Sequence, residues 1–565
     1  MVTHLQQTAA QLLTDCLIEQ GCDRIFTVPG ESFLPVLDAL HDRPAIDLVT
    51  CRQEGGAAFM ACADGAMSAA GGDAGSGRPG ICFVTRGPGA TNASIGVHVA
   101  HQDSQPMILF VGDVASDMRD REGFQEVDFP AFFGPISKWA ARIDDAKRIP
   151  EYIARAYSVA ISGRPGPVVL ALPEDMLSEL VPTGLNPRSF VTRPAQAPCP
   201  DAMQTMMAMI GDAASPIAII GGAGWNAKAR DHFQSFAERI GLPVATAFRR
   251  QDAISPSSKV YAGNMGYGPN PKLLDRVRAA DLILTVGARL GEATTDGYTV
   301  PTPDHTDQTL IHIHPDPNEL GRVYTANLAL CCDMGEFAES ADLWEENAII
   351  HFDAGAAAHA EWEEWATPSP GGSTYPLDMA ACVAFMREEL PTNSILCNGA
   401  GNFAGWWHRY WRYDGFPAQL APTAGAMGYG VPAAVAAARR YPDKTVVALA
   451  GDGDFLMNGQ ELATAVQHDC DIIVIVVDNS AYGTIRMHQE REFPSRISAT
   501  DLKNPDFAAV GASYGAWSAR AETTEAFKTA LSEAKARKGV RLIHCVIDVE
   551  QLAASGATIS GLRNR

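Results

Sequence analysis

At 565 residues, 46% of them hydrophobic, the chain is too long for one core and apolar enough to fill several; at about 150 residues per domain it calls for three or four. A formal net charge of -22 lacks the basic footprint that nucleic acid requires, no apolar run reaches the roughly eighteen residues of a membrane helix, and the start carries Asp15 and Glu19 where a signal segment would be basic. Nucleic-acid and membrane functions are therefore set aside, cytoplasmic residence is the default, and the 12 scattered cysteines, with no metal-type CxxC pair, read as reduced and mostly buried.

In chain order, VPGESFLPVLDAL runs from Val28 to Leu40, and a strand-like stretch, Ile46 to Thr50, leads into CRQEGGAAFMACADGAM. Glu54 there heads a helix whose Ala and Gly content suits very close packing, and taken alone it does no more than favour the positive end of a helix dipole. A strand over Ile81 to Val84 precedes TRGPGATNASIG, Thr85 to Gly96, which reads as a Gly- and Pro-rich loop suited to close approach of backbone to a flat ring. FQEVDFPAFFGPISKWA follows, with Phe124, Gln125 and Lys138; a lone lysine is usually a solvated charge. Prolines crowd Leu180 to Pro200, and a second break, PSPGGSTYP, covers Pro368 to Pro376. Between these linkers stand AIIGGAG (Ala218 to Gly224), LTVGARLGE (Leu284 to Glu292) and IHIHPDPNELG (Ile311 to Gly321); a glycine cluster after a strand is weak evidence for a nucleotide.

After the second linker, NGAGNF (Asn398 to Phe403) follows a strand, and Gly425-Ala426-Met427-Gly428 precedes a helix opened by Pro432. An apolar run from Thr445 to Ala450 ends in Gly451-Asp452-Gly453, with Asp454 and Phe455 starting the next helix, and a second run, Ile472 to Val477, ends in Asp478-Asn479. Short β-branched strands alternating with helix-length segments throughout predict an α/β chain of three doubly wound parallel-sheet domains, 1–180, 200–345 and 376–555. Parallel strands deliver their carboxyl ends to one edge, so the Asp452 carboxylate and the Asn479 amide oxygen would share a small hard cation. Magnesium suits them, because it takes oxygen ligands and bridges phosphates. Gly-Asp-Gly alone is a common turn, but strands on both sides and a strand-ending Asn raise it above that. The helix starts nearby would offer free N–H groups to a diphosphate.

With these motifs the chain resembles the thiamine-diphosphate-dependent enzymes, and over almost its whole length their acetolactate synthase large-subunit branch. The resemblance implies a pyrimidine-binding N-terminal domain, a central domain that in relatives holds FAD, an adenine nucleotide or nothing, and a diphosphate-binding C-terminal domain. It implies that Glu54 is the glutamate that activates the cofactor, with burial raising its pKa. Met427 would fold the cofactor into a V, and Asp452, Asn479 and the Ala481 carbonyl would hold Mg2+. Cofactor contacts would fall to Pro88, Asn92, Gly401, Asn402, Phe403, Gly425, Gly451, Gly453, Asp454, Tyr482, Gly483 and Thr484, and flavin contacts to Gly222 and Arg289. Gln125, Lys138 and His488 would border the substrate. Because in that superfamily the two halves of the site lie on different subunits, a homodimer is the minimum unit and a homotetramer the expectation.

The implied activity is decarboxylation of a 2-oxo acid followed by carboligation to a second carbonyl. Departures from the branch bear on the substrates: Ala293 stands where it has an arginine for the acceptor carboxylate, His488 where it has a tryptophan, and Arg86 where a serine is usual. Arg86 or Arg486 could clamp a carboxylate from a new direction. Otherwise the protein would be a decarboxylase or C–C lyase of another 2-oxo acid, 2-hydroxyacyl compound or diketone. The paired histidines of pyruvate decarboxylase-type enzymes are missing around His101-Gln102. A catalytically silent scaffold is disfavoured by the presence of Glu54, Asp452 and Asn479 together. The sequence does not indicate a regulatory subunit.

Overall fold

Three runs of buried strands build three six-stranded parallel sheets in the computed structural model, which describes residues 6–71, 77–182, 184–222, 224–304, 307–344, 352–369 and 373–563. Residues 1–5, Ala223 of the Ala218 to Gly224 run, residue 345 and residues 370–372 of the second linker lie outside the described residues. The chain divides into two compact units, one of Met1–Pro194 with Val435–Arg440 and the other of Ala195–Ala434 with Tyr441–Arg565.

The first unit contains β1 (Gln6–Thr8), β2 (Arg24–Thr27), β3 (Asp47–Thr50), β4 (Gly80–Val84), β5 (Met107–Asp113), β6 (Trp139–Arg142), β7 (Pro167–Pro173) and β8 (Leu180–Pro182). Its sheet order is β3-β2-β4-β5-β7-β6. The first residues of the Pro-rich stretch are not linker but strand: β8 pairs antiparallel with β1, Gln6 opposite Pro182 and Thr8 opposite Leu180. Every residue of β5 and β7 is buried, as expected of parallel strands covered on both faces. Phe83 stacks on Phe110 at 4.5 Å in the core beneath them.

The helices Glu54–Gly71 and Gly87–Asp103 pack as closely as their composition suggests, since a Cβ placed on Gly96 would stand 2.3 Å from that of Ala58. The stretch expected as a loop, Thr85 to Gly96, is therefore helix from Gly87 onward. Pro88 sits in the first turn, where its missing N–H costs nothing, and glycine serves helix contact there rather than loop freedom. A buried charge cluster braces the same unit: Asp64 accepts from Arg24 at 3.1 Å and from Arg440 at 2.7 and 2.8 Å, and Asp47 from Arg24 and Arg439 at 2.8 and 2.9 Å.

The second unit holds two sheets. The central one comprises β9 (Pro216–Ile220), β10 (Val244–Thr246), β11 (Tyr261–Asn264), β12 (Leu282–Val286), β13 (Thr309–His314) and β14 (Leu328–Cys331), in the order β11-β10-β9-β12-β13-β14. That order reverses between β9 and β12, as in dinucleotide-binding folds. The C-terminal sheet comprises β15 (Ile395–Asn398), β16 (Gln419–Leu420), β17 (Val446–Gly451), β18 (Ile472–Asp478), β19 (Trp517–Ala521) and β20 (Val540–Val546), ordered β16-β15-β17-β18-β20-β19. Among the described residues no helix is long and apolar enough to cross a membrane. None of the twelve cysteines is in a disulfide, and only Cys199 and Cys331 are exposed.

Candidate active site

β17 and β18 run side by side with Gly451 opposite Val477, so Asp452 and Asn479 emerge from neighbouring strands at one edge. Asp452, 4% exposed, accepts from the Gly453 N–H at 2.9 Å, the Ala481 N–H at 3.1 Å and the Asn504 amide at 2.8 Å. The Ala481 N–H also reaches Asn479 Oδ1 at 3.2 Å, which draws these two side-chain oxygens around one backbone turn. Burial pushes the Asp452 pKa up to about 6 against those three donors, the mark of a carboxylate short of a counter-charge. Its neighbour Asp478 is also desolvated, but the His544 hydrogen bond at 2.9 Å and those from Asn504 and Ser480 outweigh burial and hold it low. Among the described residues no group of three or more His, Cys, Asp or Glu could hold a metal. A site here depends on one carboxylate, one amide oxygen and backbone carbonyl, a donor set that fits Mg2+ and does not suit a softer ion.

Beside this corner lies a cavity of about 220 Å³. Gly401, Asn402, Phe403, Gly425, Met427, Gly451, Asp452, Gly453, Asp454, Asn479, Ala481, Tyr482, Gly483 and Thr484 all line it. Asp454 Oδ1 accepts the Ala400 N–H at 3.0 Å and the Gly428 N–H at 2.9 Å, while its Oδ2 is buried with no hydrogen-bond partner. Burial raises this carboxyl to about 7. Gly453 is required by space, since a Cβ there would stand 2.5 Å from the Tyr482 ring. Trp406, Ile485, Ile547, Gln551 and Leu552 also line the cavity.

In the first unit, Glu54 opens its helix and its Oε2 accepts from Asn92 at 3.0 Å. Next to Pro88, a Cβ on Gly89 would stand 3.5 Å from Glu54 Oε1, and the Gln125 carbonyl accepts the Gly87 N–H at 3.0 Å. Glu54, Pro88, Asn92 and Gln125 are thus gathered around one helix start. Contrary to expectation Glu54 is half-buried rather than buried in the single chain. Lys138 stands apart: it is exposed and donates to the Val159 and Ser162 carbonyls at 2.5 and 2.7 Å, capping the end of the helix Ile149–Ile161. In the central sheet Gly222 and Arg289 follow β9 and β12, the two strands flanking the order reversal. Gly222 has φ +72°, a Cβ on it would meet the Gly287 carbonyl at 1.9 Å, and Arg289 donates to the buried Glu319 at 3.3 Å.

Residues 7–132, 203–340 and 399–545 match the models of the thiamine pyrophosphate enzyme N-terminal TPP binding domain, central domain and C-terminal TPP binding domain. The acetolactate synthase large subunit of Parasynechococcus marenigrum is 30% identical over 90% of this chain and 82% of its own length. The corresponding subunit of Corynebacterium glutamicum is 29% identical over 94% and 85%, and the isozyme 2 large subunit of Escherichia coli is 28% identical over 95% of each. The chain belongs to the thiamine pyrophosphate enzymes. It is an enzyme dependent on thiamine diphosphate that resembles acetolactate synthase large subunits.

In this thiamine pyrophosphate enzyme both arginines considered as carboxylate clamps are already engaged. Arg86 is ion-paired with Glu174 and donates to the Phe124 carbonyl at 3.3 Å. Arg486, 6% exposed, bonds Glu490 at 3.0 Å and Asp501 at 2.8 Å. His488 is exposed on the helix Gly483–Glu492 and does not line the cavity. Sequence reading passed over Asn504, which joins Asp452 to Asp478 from 52 residues downstream of the former. No spacing signal connects them; an Asn ahead of Pro505 looks like a turn.

Proposed function

We propose that the protein decarboxylates a 2-oxo acid with thiamine diphosphate and Mg2+ and joins the remaining carbons to a second carbonyl compound, in the manner of an acetolactate synthase. The observation that carries this reading is the meeting of Asp452 and Asn479 at the ends of adjacent parallel strands beside the cavity. Thiamine diphosphate, when bound, supplies a nucleophilic carbon and a sink for the electrons released with carbon dioxide. Asp452, Asn479 and the Ala481 carbonyl hold the cation. The glycine-rich walls from Gly401 to Phe403 and around Gly425, with Gly451, Gly453, Asp454, Tyr482, Gly483 and Thr484, enclose the diphosphate. Met427 shapes the middle of the cavity. Glu54, oriented by Asn92 beside Pro88, holds a proton for the aminopyrimidine, and Gln125 borders the substrate.

The domain roles follow: pyrimidine-binding for 1–180, nucleotide-binding-like for 200–345 and diphosphate-binding for 376–555. The half-exposed Glu54 supports a second copy of the chain covering it, hence a homodimer at minimum and a homotetramer as the assembly. The strand order about β9 and β12, with Gly222 and Arg289 at the reversal, supports FAD in the central domain, testable by the absorbance of the purified protein. Cytoplasmic residence accompanies this reading.

A second reading has its own observation. Ala293 offers no cation, and Arg86 and Arg486 are bonded to carboxylates, which favours an acceptor that is not an acid, or no acceptor. The protein is then a decarboxylase or C–C lyase of another 2-oxo acid, 2-hydroxyacyl compound or diketone. Incubation with thiamine diphosphate, Mg2+ and pyruvate, following carbon dioxide and carbon products together, separates the two. Acetolactate establishes carboligation of two oxo acids, aldehyde establishes simple decarboxylation, and no release from pyruvate directs the search to other donors.

A further inference from the structure

The turn after β10 reads Arg249-Arg250-Gln251-Asp252, a run that the proposed chemistry does not use. It reaches from the central sheet to the C-terminal sheet through buried polar contacts. Gln251 Nε2 donates to the His408 carbonyl at 2.8 Å, and Asp252 Oδ2 accepts from the Ala418 and Gln419 N–H groups at 3.2 and 3.3 Å. Arg249 goes further. It is 6% exposed and holds φ +60°, the left-handed region that a residue with a side chain occupies only when its surroundings fix it there. Its guanidinium donates through Nη1 to the Pro422 carbonyl and through Nη2 to the Gly399 carbonyl at 3.1 Å. Those carbonyls begin the two glycine-rich segments that form walls of the cavity.

Asp454 holds the same two segments through Oδ1, which takes the Ala400 N–H, adjoining the Gly399 carbonyl, and the Gly428 N–H at the far end of the second segment. The peptide joining Gly399 to Ala400 is thus bracketed, its oxygen by Arg249 and its N–H by Asp454. A trans peptide is planar, with these two groups on opposite sides, so fixing both ends fixes the plane. Gly399 has no room to adjust: a Cβ there would stand 1.9 Å from Asp454 Oδ1. An arginine suits the task because its rigid fork presents separate donors to two acceptors at once, where a lysine offers one point.

We propose that Arg249 is a positioning residue for cofactor binding, holding the 399–403 and 422–428 segments in the orientation that admits a diphosphate. The inference rests on the reading that this cavity takes the diphosphate end of the cofactor. Titrate thiamine diphosphate with Mg2+ into the full-length protein, following tryptophan fluorescence, for wild type and for Arg249→Met, Arg249→Lys, Arg249→Ala and Gln251→Met. The last breaks the same seam between sheets and touches neither segment. Expected are a dissociation constant raised at least tenfold in Arg249→Met, a smaller rise in Arg249→Lys, little change in Gln251→Met, and recovery of Arg249→Ala by millimolar guanidinium ion. At saturating cofactor, kcat and the KM for the oxo acid should return close to wild type. The proposal is overturned if Arg249→Met or Arg249→Lys binds the cofactor like wild type. It is equally overturned if affinity falls only in step with melting temperature, as in Gln251→Met, without guanidinium rescue. A wild-type protein that fails to bind thiamine diphosphate would instead remove the reading on which the inference stands.

Discussion

His314 closes β13 in the central domain and is 3% exposed. Its Nδ1 meets the Asp316 N–H at 3.1 Å. Burial, reinforced by the neighbouring His312, pushes its pKa from 6.5 down to about 4, with Glu319 and Asp316 opposing. At pH 7 the ring is neutral whether the chain is folded or not, and it contributes no pH dependence. As pH falls from 6.5 towards 4, only the unfolded chain takes the proton, so stability drops; below 4 both states are protonated and the loss is complete. Between pH 7 and pH 5 the loss amounts to roughly 2 kcal/mol at 1.36 kcal/mol per pKa unit. Replacing His314 by Asn removes the proton site, so the variant should lose about 2 kcal/mol less than wild type over that interval. The assay is urea unfolding at both pH values, followed by tryptophan fluorescence, with Trp225 and Trp362 reporting from the core around the central sheet. Equal losses in the two proteins would refute the reasoning.

Four further outcomes are expected. Asp64→Ala removes the buried carboxylate shared by Arg24 and Arg440, leaving them Asp47 and Asp23, and should destabilise the first unit by about 1–3 kcal/mol, read as a lowered melting temperature, with Asp64→Asn milder. Gly96→Ala forces apart the helices Glu54–Gly71 and Gly87–Asp103 and should cost about 1–3 kcal/mol in the same measurement. Asn504→Ala removes the amide shared by Asp452 and Asp478; Mg2+ affinity by calorimetry should fall about 10- to 100-fold with little change in melting temperature. Glu54→Gln should abolish turnover with an unchanged circular dichroism spectrum, and near-normal activity in that variant would end the proposed role.

What could be read from the sequence was what lies close together along it. The three sheets were legible because strands covered on both faces become unbroken apolar runs, such as those of β4 and β18. The meeting of Asp452 and Asn479 was legible because parallel topology brings successive strand ends to one edge, with no knowledge of the rest of the fold. Asn504 and Arg249 were not, since the contacts that define them come from 52, 150 and 173 residues away. The helix from Gly87 reads as a loop in the sequence because its glycine and proline content is explained only by the neighbouring helix that packs against it. The burial expected of Glu54 came with the family resemblance, and in the single chain the residue is half-buried.

The register of β17 against β18 also divides the C-terminal domain into parts that evolution can alter and parts it cannot. The positions of Asp452 and Asn479 are fixed by where the strands end, not by the length of chain between them. Residues can be added at the exposed turn around Asp469 while Asp452 and Asn479 keep their places. A one-residue slip within either strand would move Asp452 or Asn479 about 3.3 Å along the strand and turn it to the opposite face. New connections, and with them new surfaces, can therefore be grafted onto this domain without disturbing the meeting of Asp452 and Asn479, provided the strands keep their count.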